Sequence, residues 1–128
     1  MSSTAYTRVA EQVSSPRELE ARALLTAAGK LKDIQANWDP GNASLKPALL
    51  FNRKLWQIFV AAALEDDCPH PKDLRQNIAN IGVFVFSRTM ETEIDPSPDK
   101  LDALIDINLN IAAGLGTAGL GAGVGTAA

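Results

Sequence analysis

Residues 48–64 read ALLFNRKLWQIFVAAAL, and residues 74–90, after a polar break, read LRQNIANIGVFVFSRTM. These two stretches decide the fold. From Leu55 to Leu64 only Gln57 is polar, so the first stretch is apolar nearly all round, as in helices contacted from several sides. In the second, Leu74, Ile78, Ile81 and Val85 share one helical face. Val83-Phe84-Val85-Phe86 alone would also suit a buried strand, but both flanks carry helical spacing, and helix is preferred. A chain of 128 residues must bury such surface internally, against a second copy, or under a partner.

Punctuation marks the neighbouring helices. Ser15 is a suitable N-cap, Pro16 suits the first helical position and Glu18 completes a capping box. Leu19, Ala23, Leu24, Ala27, Leu31, Ile34 and Trp38 then form a stripe opposed by Arg17, Glu20, Arg22 and Lys32. Asp39-Pro40-Gly41-Asn42 ends that helix with turn chemistry, and Ser44 is expected to cap the next, which runs to about Leu64. Residues 65–71 form an acidic loop with two prolines, and the third long helix is expected from about Pro71 to Glu93. Ser97, followed by Pro98, is expected to cap a last helix aligning Leu101, Leu104, Ile105, Asn108 and Ile111 and stopping at Gly114. A weaker helix is suggested ahead of these by Tyr6, Val9, Ala10 and Val13.

The expected fold is therefore all-α: one small bundle of four to five helices over residues 1–115, followed by a disordered Gly/Ala-rich tail at 116–128. Composition agrees, since 46% hydrophobic and 21% charged residues with only 5% aromatics favour helices over a sandwich or barrel. A net charge of −3 argues against chain-wide affinity for nucleic acid. The lone Cys68 permits no intrachain disulfide. No basic start leads into an apolar run at the N-terminus, and Ile58 to Leu64 is about a third of a membrane span. A soluble cytoplasmic protein is expected.

Signals for chemistry are weak. Gly114, Gly116 and Gly119 spell GxGxxG, but the pattern follows a helix instead of linking a strand to one, so it marks no nucleotide site. Asp66, Asp67, Cys68 and His70 are the one cluster of metal-capable groups, without the further Cys or His that zinc requires. No third group is identified to orient a Cys68–His70 pair for nucleophilic chemistry. Neither enzyme nor cofactor is expected. Arg53 and Lys54 beside Trp56 suit either an RNA patch or a solvated helix face. Asn77 and Asn80, three apart on a largely apolar helix, either bond to neighbouring helices or form the polar part of a recognition surface. An uncovered apolar groove would suit an amphipathic helix.

The segments Ala48-Leu-Leu-Phe-Asn-Arg-Lys-Leu-Trp56, Leu74-Arg-Gln-Asn-Ile-Ala-Asn-Ile-Gly82 with the following Val-Phe-Val-Phe, and Leu104-Ile-Asp-Ile-Asn108 through Leu115 resemble the FlaF family of flagellar biosynthesis regulators in alphaproteobacteria. Order, spacing and interposed prolines agree, over roughly Ala5 to Leu115. The resemblance implies a cytoplasmic helical protein that binds flagellin before export, as a chaperone does, and coordinates its synthesis with FlbT. Flagellin ends are amphipathic helices whose apolar stripes need cover before assembly. The alternatives are a regulator contacting flagellin mRNA directly and a homodimeric assembly subunit that covers its own groove. Expected partner contacts lie at the motif positions. Phe51, Trp56, Ile81 and Phe84 would supply apolar cover, and Asn52, Arg53, Arg75, Asn77, Asn80 and Arg88 would set register.

Overall fold

A computed structural model describes residues 16–39 and 41–120. Among them are four α-helices and no strand: α1 (Pro16–Ala36), α2 (Leu45–Ala63), α3 (Lys72–Ile94) and α4 (Leu101–Leu120), the last preceded by a 3-10 turn at Pro98–Lys100. Val83 to Phe86 is helix, as its flanks required. The helix suggested around Tyr6–Val13 and the cap at Ser15 lie outside the described residues.

The helices pack as two antiparallel pairs. In α1–α4, the most extensively packed pair, Gln35 Nε2 donates to the Pro98 carbonyl at 2.9 Å and to Asp102 Oδ1 at 2.6 Å. These bonds fasten the end of one helix to the start of the other. Small residues let the two backbones approach: Ala27, Ala28 and Ala112 are buried beside Leu24, Leu31, Leu104 and Leu115. In α2–α3 the close approach falls at Gly82, where an added Cβ would stand 2.3 Å from Val60 Cγ2.

Trp56 joins the pairs. It is fully buried on α2, edge-on to Phe59 with ring centroids 5.8 Å apart, and its indole N–H donates to Asn108 Oδ1 on α4 at 2.8 Å. An indole can only donate, so Asn108 must turn its carbonyl to Trp56 and its amide NH2 away. That NH2 donates to Asn52 Oδ1 at 2.6 Å, back on α2. All three side chains are buried, where unpaired polar groups are costly.

Several details depart from expectation. Ser44 does not cap α2: it has helical φ/ψ, and its N–H is taken at 2.7 Å by Asn42 Oδ1. Asn42 does so because the tight turn begun at Asp39, closed by Asn42 N–H to the Asp39 carbonyl, places it three residues before Leu45, where the helix begins. The segment after Ser97 opens as a 3-10 turn, with the Lys100 N–H on the Ser97 carbonyl. A hydrogen bond with the Ser97 side chain, and one with its own backbone, hold the Asp99 carboxyl below its ordinary value.

Gly114 does not stop the last helix, which continues through Gly116 to Leu120. Leu115 is buried in the core one residue beyond the proposed stop, so packing there outweighs glycine's low propensity. Residues 116–120 of the expected tail are thus helical, and 121–128 lie outside the described residues. Leu19, assigned to the core stripe of α1, is exposed, since the buried residues of that helix begin at Ala21. Nor is α2 wrapped on all sides, since Ile58 is 65% exposed.

Asn108→Ala is expected to lower unfolding stability in urea by about 2–4 kcal/mol, because it orphans the buried Trp56 donor and leaves a cavity. Asn108→Leu and Trp56→Phe should be non-additive, with a coupling of at least about 0.5 kcal/mol in a double-mutant cycle. Gly82→Ala should destabilise by roughly 1–2 kcal/mol despite alanine's helix preference of about 1 kcal/mol, since Val60 is stiff at χ1. Val60→Ala in the same chain should restore most of that loss.

Candidate binding surface

Exposed apolar side chains are unevenly distributed. Leu50, Phe51 and Ile58 on α2, Leu64 at its end, and Val83, Phe84, Met90 and Ile94 on α3 are all exposed; among the described residues only Leu19 and Leu25 on α1 join them as exposed large hydrophobics. The surplus therefore sits on the α2–α3 hairpin. The cause is visible in the sequence of each helix: one arc packs inward, through Trp56, Phe59 and Ala63 on α2 and Ile78 and Val85 on α3, and the opposite arc is also apolar.

Three of the residues expected at the contact surface are built into the fold. Asn52 and Trp56 are fully buried in the hydrogen-bonded chain to Asn108, and so present nothing to a partner. Arg75 reaches back across the hairpin: its Nε donates to the Ala63 carbonyl at 2.9 Å and an Nη to the Glu65 carbonyl at 2.6 Å. A helix ends with unpaired carbonyls and a partial negative charge, and a guanidinium answers both. Arg75 thus closes α2 and positions α3. Ile81 is partly buried and packs against the core.

The remaining residues lie outward. Phe51 is exposed with Lys30 Nζ 5.3 Å from its ring centre, and Phe84 is exposed with the Arg88 guanidinium 5.2 Å from its ring centre. Both are within cation–π range. Arg88 Nε also lies 3.1 Å from Glu91 Oε1, one turn on. Asn77 and Asn80 are exposed on α3, where Asn80 Oδ1 accepts from Gln76 Nε2 at 3.0 Å. Asn80 thus pairs within its own helix, not with a neighbouring one. Arg53 is half-buried, and its Nε has no hydrogen-bond partner among the described residues.

Sequence reasoning missed three kinds of residue. Asn108 was placed on the buried face of α4, but its bond to Trp56 was not legible there. Val83, Met90 and Ile94 were not recognised as an outward face, although they recur at helical spacing on the far side from Ile78 and Val85. His70, read with a loop cluster, instead shares a 3.0 Å hydrogen bond through Nε2 with Glu20 Oε1, tying the α2–α3 loop to α1.

A groove of about 740 Å3 runs between the C-terminal half of α1 and the N-terminal half of α2, with Ile34, Pro47, Ala48 and Phe51 on its apolar side and Lys30, Asp33 and Asn37 on its polar side. Among the described residues no helix is long and apolar enough to cross a membrane.

No curated protein and no solved structure matches the chain. The sequence pattern of one family, described as flagellar protein FlaF, matches residues 2–115. That span covers most of the chain and includes the Trp56–Asn108–Asn52 network, the Arg75 clamp and the apolar hairpin. The chain belongs to the flagellar protein FlaF family.

Proposed function

We propose that this protein binds flagellin in the cytoplasm before export, as a non-enzymatic chaperone, and with FlbT matches flagellin synthesis to secretion. Family membership supports a flagellar role, and one observation carries the binding step: the α2–α3 hairpin exposes apolar side chains along both helices while its opposite faces build the core. Amphipathic helices at the ends of flagellin need their apolar stripes covered until they pair in the filament, and this hairpin offers cover of the matching kind. Phe51, Phe84 and Arg88, with Asn77 and Asn80, are the motif positions available to such a partner. Asn52, Trp56 and Arg75 serve it indirectly by holding the hairpin on the α1–α4 pair.

Direct recognition of flagellin mRNA has less support. Of the three arginines at motif positions, Arg75 is engaged with backbone carbonyls and Arg88 with Glu91 and Phe84, which leaves Arg53 with Lys54 as a small basic patch on a chain of net charge −3.

The purified chain is expected to bind monomeric flagellin in isothermal titration calorimetry, with a negative heat-capacity change from apolar burial. Phe84→Ala should weaken that binding on the order of tenfold without lowering thermal stability appreciably. Affinity for the flagellin leader RNA, measured at two salt concentrations, is expected to be negligible. A steep salt dependence toward RNA with no flagellin binding would replace the chaperone role with the RNA one.

A further inference from the structure

The outer face of α3 carries an ordered pattern. Gln76, Asn80, Val83, Ser87, Met90 and Ile94 follow one another at intervals of four, three, four, three and four residues, and all are exposed. This is the alternation of a coiled-coil seam. It runs about 27 Å along the helix at 1.5 Å per residue. Its strongest apolar members are nearly unburied: Val83 is 69% exposed, Met90 62% and Ile94 77%. The inward face, through Ile78, Gly82, Val85 and Thr89, already packs within the fold, so the bundle does not need the outer seam.

We infer that the outer seam of α3 takes one amphipathic helix side by side in coiled-coil geometry, and that the incoming helix carries basic residues beside its apolar stripe. This rests on the flagellin reading and narrows it to one face and one kind of helix.

Two observations choose the partner. The positions flanking the apolar half of the seam include Glu91 and Glu93, and the one basic residue near them, Arg88, already faces Glu91. A helix with Lys or Arg at its own flanks would complete that charge pattern; an acidic one would be repelled. A second copy of the chain fits poorly. Paired parallel and in register, α3 would bring no basic residue to Glu91 or Glu93, since Phe86 stands at the position facing Glu91; paired antiparallel about its centre, it would set Gln76 against Ile94 and Asn80 against Met90. Asn80 and Ser87 are the polar and small members of the seam. A polar side chain at such a position fixes register, and Asn80 is bonded to Gln76 only, one turn away on the same helix.

The test uses the full-length chain with three probes. These are monomeric flagellin, a synthetic helical peptide with Leu at its seam and Lys on both flanks, and the same peptide with Glu flanks. Val83→Glu and Met90→Glu are each expected to weaken flagellin and Lys-peptide binding at least tenfold, and Glu93→Lys several-fold. The Glu-flanked peptide should bind at least tenfold more weakly than the Lys-flanked one. Leu25→Glu, exposed on α1 outside the hairpin, should leave both affinities within about twofold. All four positions are exposed, so thermal melting should stay close to that of the unmodified chain.

If Val83→Glu and Met90→Glu bind flagellin normally, the seam assignment fails and the flagellin reading stands. If the chain binds the Lys-flanked peptide through the seam but no flagellin, the seam stands and the flagellin reading fails. Equal binding of the two peptides overturns the basic-partner assignment. A dimer in sedimentation that Met90→Glu dissociates makes a second copy the occupant and overturns the inference.

Discussion

One buried hydrogen-bonded chain holds the two halves of this bundle in register: Trp56 to Asn108 to Asn52. Apolar packing between helices tolerates small rotations and shifts, because hydrophobic attraction is non-directional. A donor-only indole facing a single carbonyl in a dry core does not. Any slide of α2 along α4 would strand the Trp56 N–H, so the network specifies one arrangement of helices that volume alone would leave loose. The arrangement in turn decides which arc of α2 and α3 points inward.

That choice connects stability to function. α2 and α3 are apolar on more than one arc, and among the described residues the other two helices cover only one arc of each. The α1–α4 pair, with buried alanines at its seam, takes the inner arcs. Arg75 and the close approach at Gly82 hold α2 against α3, so that the outer arcs lie side by side. Exposed apolar surface on a rigid hairpin costs little entropy to engage, which is how binding surfaces gain affinity from preorganisation. A FlaF-family chain with such a surface is well suited to act by binding.

Much of this was legible in one dimension. Helical periodicity, prolines at helix starts and the Asp39–Asn42 turn located the starts of the four described helices to within a few residues, because these signals are local and survive in any packing. The apolar surplus of 48–64 and 74–90 was legible too, as was the family resemblance those stretches carry. The errors lie where local signals met tertiary contacts. Ser44 had the right chemistry for a cap, but the turn geometry gave the role to Asn42. Gly114 had the right chemistry for a stop, but burial of Leu115 carried the helix past it.

The sequence by itself determined that the described residues form four helices, roughly where each begins, and that two of them are apolar on more than one arc. Those properties depend on residue type and spacing alone. Only the tertiary structure decided which motif residues are inside. Phe51 and Trp56 look alike in the sequence, as do Asn52 and Asn80, and Arg75 and Arg88. One of each pair is committed to the fold and the other faces outward, because the difference depends on a partner from a distant helix or loop: Asn108 for Trp56 and Asn52, the end of α2 for Arg75.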